Sequence, residues 1–128
     1  MLLLRDSEIN RRSKIFCLIP VEAVPTVGID GDQTQFVARG YGMLLTCQYH
    51  ALPPASEVQW KRNGTVIARN TSVEINDSRI SISHFDETHV QLTINTTTLH
   101  DSGNYTCDVT NDMGNSSDTT TIVIEGMS

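Results

Sequence analysis

The chain has 128 residues, one domain's worth, with nine Lys and Arg against fifteen Asp and Glu for a net charge of −6. It has no basic patch to hold nucleic acid, and no apolar run reaches the ~18–20 residues that a membrane-spanning helix needs. What remains is a chain of scattered charge, three cysteines and enough apolar residues for one small core.

Residues 1–23 set Arg11, Arg12 and Lys14 ahead of a short apolar run, Ile15–Ile19, with Ala23 placed where a cut could follow. A secretory leader has this order, with an apolar stretch of about 7–15 residues. Pro20 and Glu22 end this one early. The segment reads as a poor signal peptide, a linker or a fragment of a preceding segment, and Cys17 as removed, free or paired elsewhere. Residues 24–125 read as one domain and 126–128 as a C-terminal tail.

Val24–Ile29 and Gln35–Ala38 are two strand pieces broken by the turn residues Asp30, Gly31 and Asp32. Pro25 belongs on a sheet edge. Gly42–Tyr49 is the next strand, with Met43, Leu45 and Cys47 on one face. The paired prolines within Ala51–Ala55 make a loop. Glu57–Arg62 follows with Val58 and Trp60 inward; Asn63-Gly64 is a two-residue hairpin signal, and Thr65–Ala68 returns. Arg69–Ser78 is polar and reads as a loop with at most a short strand.

Arg79–Ser83 alternates as a strand, Phe85–His89 is a turn, and Val90, Leu92 and Ile94 face inward on the strand after it. Leu99 anchors a crossing to a tight corner at Asp101-Ser102-Gly103, which leads into a strand where Tyr105 and Cys107 share a face. Asn111–Asn115 is a turn-rich hairpin, and Thr120, Ile122 and Ile124 face inward on the last strand. That strand ends close to Ser128, where a typical multidomain protein would continue, so one domain cut from a larger protein is among the readings of the chain. Period-two logic gives a core of Leu45, Cys47, Val58, Trp60, Ile80, Ile82, Leu92, Ile94, Leu99, Tyr105, Cys107, Ile122 and Ile124.

Six of the eight asparagines stand in Asn-x-Ser/Thr sequons: Asn63, Asn70, Asn76, Asn95, Asn104 and Asn115. Ser and Thr fill 26 of 128 positions, so chance gives about one or two such sequons. The excess points to a glycoprotein that passes through the secretory pathway, where disulfides form. The alternative is that a chain rich in Ser, Thr and Asn makes sequons by accident.

No catalytic or metal-binding constellation stands out. His50, His84, His89 and His100 are scattered, and His84 and His89 flank a turn as solvated residues. Ser102 beside Asp101 and His100 lacks a Gly-x-Ser-x-Gly elbow. Asp30 and Asp32 around Gly31 lack the later ligands of a calcium loop. The reading is of no enzyme, no metal and no cofactor.

The order Cys47, Trp60, then Asp101-x-Gly103-x-Tyr105-x-Cys107 resembles the immunoglobulin superfamily over roughly residues 24–125. The resemblance is to intermediate-set (I-set) or variable-like domains of the cell-adhesion and receptor-ectodomain kind. It implies an all-β, immunoglobulin-like two-sheet antiparallel Greek-key sandwich. It further implies a Cys47–Cys107 disulfide with Trp60 packed on it, a tyrosine corner at Tyr105, and a structural salt bridge from Arg79 to Asp101. In cytosolic members of the family two such cysteines are buried free thiols, and the sequon count favours the bridge here.

The function implied is non-enzymatic: an extracellular recognition or cell-adhesion module, secreted or the ectodomain of a membrane protein, binding a protein partner homophilically or heterophilically. The alternatives are an intracellular structural domain of the muscle or cytoskeletal type and an immune-type variable receptor domain. Gln59, Lys61, Asn104, Thr106, Asp108 and Val123 would form an outward sheet face that often serves for docking in this family. Asn104 places a sequon in that face and Asn95 one on the opposite sheet. The expected binding loops are therefore Leu52, Pro53 and Pro54 together with Asp112, Met113 and Gly114.

Overall fold

The computed structural model describes residues 2–9, 16–20 and 22–126, without the side chains of 2–9, 16–20 and Phe85. The basic part of the leader reading (Arg11, Arg12 and Lys14), the Cys17 side chain and the last two residues of the tail lie outside the described residues. Within the N-terminal segment β1 (Leu2–Ile9) and β2 (Phe16–Pro20) pair antiparallel, Leu4 opposite Leu18.

Two sheets make up the rest. The four-stranded sheet runs in the order β3 (Ala23–Ile29), β5 (Met43–Leu52), β10 (His89–Ile94), β9 (Ile80–Asp86). The six-stranded sheet runs β4 (Thr34–Ala38), β12 (Gly114–Glu125), β11 (Gly103–Asn111), β6 (Glu57–Arg62), β7 (Thr65–Arg69), β8 (Ser72–Val73). The two pieces of the first strand thus lie in different sheets. β3 pairs antiparallel with β5, while β4 runs parallel to β12. Asn63 and Gly64 take positive φ, 51° and 84°, and turn β6 back into β7 as that dipeptide predicts.

Alternate residues of facing strands fill the space between the sheets: Met43, Leu45 and Cys47 on β5, Val90, Leu92 and Ile94 on β10, Val58 and Trp60 on β6, Tyr105, Cys107 and Val109 on β11, Ile122 and Ile124 on β12. Cys47 and Cys107 are joined by a disulfide across 60 residues. Closing a loop of that size is worth about 4 kcal/mol on the chain-entropy model. Trp60 stands directly opposite Cys107 on the neighbouring strand. Its indole Nε1 is buried with no hydrogen-bond partner among the described residues.

Two core expectations need correction. Leu99 is 51% exposed. The crossing into β11 is a single 3₁₀ turn, Leu99–Asp101, which rotates Leu99 outward and brings polar groups in. Thr97 is buried and its hydroxyl donates to the carbonyl of Tyr41 at 2.8 Å. Ile82 packs against the core but is only half-buried. Period-two logic also missed Ile67 and Ala68, neighbours that are both buried. The register with β6 shifts between Trp60 and Lys61, and such a bulge lets consecutive side chains point the same way. Strand bounds moved as well: β5 continues to Leu52, and β9 and β10 leave only Glu87 and Thr88 as their turn.

Asp101 closes the lower end. Its side chain is 2% exposed. The Arg79 guanidinium donates to both its oxygens, at 2.8 and 3.1 Å, Arg62 Nη1 lies 3.3 Å away, and the Thr98 N–H donates at 2.7 Å. The Tyr105 hydroxyl donates to the Asp101 carbonyl at 2.6 Å. Burial alone would raise the Asp101 carboxyl; the hydrogen bonds from Arg79 and Thr98 and the charges of Arg79 and Arg62 outweigh it and hold it below its ordinary value. Its contribution to stability is therefore present above the ordinary carboxylate value of 3.8 and is lost as pH falls through the lower folded value. Asp101→Asn is expected to cost about 2–4 kcal/mol at neutral pH, less than a fully buried pair because both guanidiniums reach solvent. Urea unfolding across pH checks this: the gap between wild type and variant should hold above pH about 4 and narrow below it.

Candidate functional site

The sequence-predicted loops meet at the upper end of the sandwich, and one side chain joins them. Asn111, the last residue of β11, is 4% exposed. Its Nδ2 donates to the carbonyls of Ala23, at 2.8 Å, and Pro53, at 3.0 Å. Its Oδ1 accepts from the Met113 N–H at 2.9 Å. The start of β3, the β5–β6 loop and the β11–β12 turn are thereby fixed to one another. Asn before a turn is a visible signal, but carbonyls 88 and 58 residues away are not.

The surface held this way is largely apolar. Met113 is 49% and Val24 47% exposed. Pro54 is exposed, Leu52 and Pro53 are half-buried, and Asp112 projects into solvent. Gly114 has a φ of +139°, and a Cβ there would come within 2.9 Å of Val24 Cγ1, so this close packing of the turn on β3 needs glycine. Val24 was not among the expected binding residues; its place depends on that contact.

Beside this surface the β5–β6 loop and the β9–β10 turn enclose a hollow of about 450 Å³ lined by Tyr49, His50, Pro54, Ala55, Glu87 and Thr88. His89 is not a solvated turn residue. It opens β10, is half-buried, and places Nδ1 2.8 Å from Asp86 Oδ1. The His89 hydrogen bond, with those from the Thr88 N–H and hydroxyl, draws the Asp86 carboxyl down to about 2. His84 is exposed on β9. Among the described residues no group of three or more His, Cys, Asp or Glu is placed to hold a metal ion. Ser102 is structural: its hydroxyl accepts the Ile124 N–H at 2.9 Å.

All six sequon asparagines are exposed. Asn63 and Asn104 adjoin at the lower end of the six-stranded sheet, where Asn63 Oδ1 accepts the Asn104 N–H at 2.9 Å. Asn70 lies in the β7–β8 turn, with Oδ1 accepting the Val58 N–H at 3.0 Å. Asn115 extends its Nδ2 to Asp108 Oδ1 at 3.1 Å on the outer face of that sheet. Asn76 follows β8, and Asn95 follows β10 on the other sheet. The expected docking face is thus flanked by sequons at both ends. Between them Lys61 and Asp108 form an ion pair at 3.0 Å.

A family model described as an immunoglobulin domain matches residues 25–111. Among curated proteins, the membrane-bound isoform of pro-neuregulin-1 from Gallus gallus is 29% identical over 92 residues, which cover 72% of this chain. The match spans only 15% of that relative's length. Among solved structures, titin domain M4 is 22% identical with a TM-score of 0.66, over 83% of this chain and all of that one. The complex of Dpr1 IG1 with DIP-eta IG1 matches at 21% identity and a TM-score of 0.68, over 80% of this chain and 97% of that one. At these identities the structures establish the fold.

Asn111→Ala is expected to take the Asn111 donor from two carbonyls and the acceptor from the Met113 N–H, and to cost about 1–3 kcal/mol. It should also free the upper loops, which amide hydrogen exchange reads directly: protection at Met113 should fall while that of β10 is retained.

Proposed function

This chain belongs to the immunoglobulin-domain family, and from that footing we propose that it is an extracellular recognition or adhesion domain whose work is to bind a protein partner. The fold is one that typically acts by binding rather than by catalysis. The observation that carries the reading is the set of six exposed sequon asparagines around a disulfide-closed core. Glycosylation and disulfide formation both belong to the secretory route. The Dpr1–DIP-eta complex supports the binding class, since there one immunoglobulin domain is bound to another. A second immunoglobulin domain, of the same or another chain, is the partner class it suggests.

The contact surface in this reading is the upper end: Leu52, Pro53 and Pro54 from one loop, Asp112, Met113 and Gly114 from the other, and Val24 beside them. Exposed apolar groups on a pre-fixed frame lose little freedom on docking. Glycans at Asn104 and Asn115 would cover the outer face of the six-stranded sheet and leave this end accessible. The titin neighbours carry the competing reading of an intracellular structural domain.

Expressing the full chain, with its own first 23 residues, in a eukaryotic cell separates the two. The expected outcome is glycosidase-sensitive protein in the medium with an intact Cys47–Cys107 bridge. It should bind a cell surface, and the double variant Leu52→Asp, Met113→Asp should lose about tenfold or more of that binding with secretion and glycan mass unchanged. Unmodified, reduced protein held in the lysate even behind a grafted signal peptide would favour the intracellular alternative. Full binding by the double variant would remove the upper end as the contact surface.

A further inference from the structure

The charge of the sandwich is far more lopsided than that of the chain. Residues 22–126 hold thirteen Asp and Glu against five Lys and Arg, a balance of −8. Four of those five cations are already engaged: Lys61 with Asp108, Arg62 with Asp101, Arg69 with Glu57 and Glu74, Arg79 with Asp77 and Asp101. Six exposed acids have no ion-pair partner among the described residues: Asp30, Asp32, Glu125, Glu22, Glu87 and Asp112. The last three are the ones that concern the upper end. They stand before β3, in the β9–β10 turn and in the β11–β12 turn, around the apolar surface of Val24, Pro54 and Met113.

The hollow between Pro54 and Glu87 gives this rim a depth. A second hollow of about 350 Å³ adjoins it across Tyr49, His50 and Thr88 and runs down over Gly28. A Cβ at Gly28 would meet nothing within 4 Å, so the strand is bare there. The two hollows share Tyr49, His50 and Thr88 and form one groove across β3, β5 and the β9–β10 turn, and none of the six sequon asparagines lines it. The groove is electronegative. Burial raises the pKa of the Tyr49 hydroxyl, and the carboxylates of Asp86 and Glu87 raise it further.

We propose that this groove receives a basic segment of the protein partner, an Arg or Lys side chain lying past Tyr49 toward Glu87 while an apolar neighbour rests on Pro54, Val24 and Met113. The stem of such a side chain suits the apolar wall at Pro54 and Ala55, and its charge meets the unpaired acids. An acidic partner segment is repelled by the same field, which makes the groove selective by sign. The inference rests on the binding reading above and names the chemistry of its partner.

The test is an amide NMR titration of the folded, disulfide-bonded full chain at low ionic strength. One probe is a synthetic pentapeptide of alternating arginine and leucine; the other has glutamate in place of arginine. The arginine peptide is expected to shift His50, Ala51, Ala55, Glu87 and Thr88, and the glutamate peptide to leave them in place. Glu87→Lys should weaken the arginine peptide about tenfold or more without disturbing amides outside the turn. Shifts spread evenly over remote acids such as Asp32 and Glu125, equal binding of both peptides, or full affinity in Glu87→Lys each overturns the proposal. Loss of this binding in a chain that is still secreted, glycosylated and dependent on Leu52 and Met113 for cell attachment defeats this inference alone. A chain retained unmodified in the lysate defeats the reading beneath it.

Discussion

Asp101 accepts hydrogen bonds from arginines that belong to different sheets: Arg62 ends β6 in the six-stranded sheet, and Arg79 immediately precedes β9 in the four-stranded one. A carboxylate this buried is costly unless both oxygens are engaged, and here five donors engage them, the Thr98 hydroxyl among them. The same residue gives its carbonyl to Tyr105. One stretch of chain thus carries three ties between the sheets: Asp101 just ahead of β11, Cys107 at its middle, and Asn111 at its end. The disulfide reaches β5, and the Asn111 amide reaches β3 and the loop beyond β5. Lower corner, core and upper end are all referenced to β11, and the loops inherit their positions from it.

The ties differ in how far they could be read from sequence. Tyr105 and Cys107 alternate within one strand, and Asn63-Gly64 requires positive φ by local sterics, so both follow from neighbouring residues. Ile67 and Ala68 defeat alternation because the bulge that turns both inward depends on the register with Trp60. Leu99 looked like an anchor because it is apolar, yet the 3₁₀ turn places Thr97 and Asp101 inside instead. The two upper loops could be named from their turn residues. That Asn111 joins them, and that Val24 stands beside Met113, are facts of residues far apart in sequence. So is the pairing of β1 with β2 in a segment that reads as a leader or linker.

The placement of charge and sequons divides the molecule into unlike surfaces. Sequon asparagines gather on the six-stranded sheet, at Asn63, Asn70, Asn104 and Asn115, while the β3–β5 side has none along its groove. Four of the five cations in residues 22–126 are spent on Asp77, Asp101, Asp108, Glu57 and Glu74, and three of the six exposed acids left unpaired stand at the upper end. On the proposed reading, the acids beside the groove would orient a basic partner before contact, and such steering weakens as salt rises. Recognition of this kind needs no lid or hinge; it needs the frame to stay fixed, which is what the Asn111 hydrogen bonds provide.

The parallel pairing of β4 with β12 has a mechanical consequence. Thr34 faces Thr121 and Ala38 faces Glu125, so a strand near the start of the domain and its final strand lie side by side and point the same way. Tension applied through the two flanks of the domain would draw these strands along their own axes in opposite directions. Their hydrogen bonds would then be loaded in shear, all at once, rather than opened one after another from an end. A domain tied in this manner would resist being stretched from its two ends.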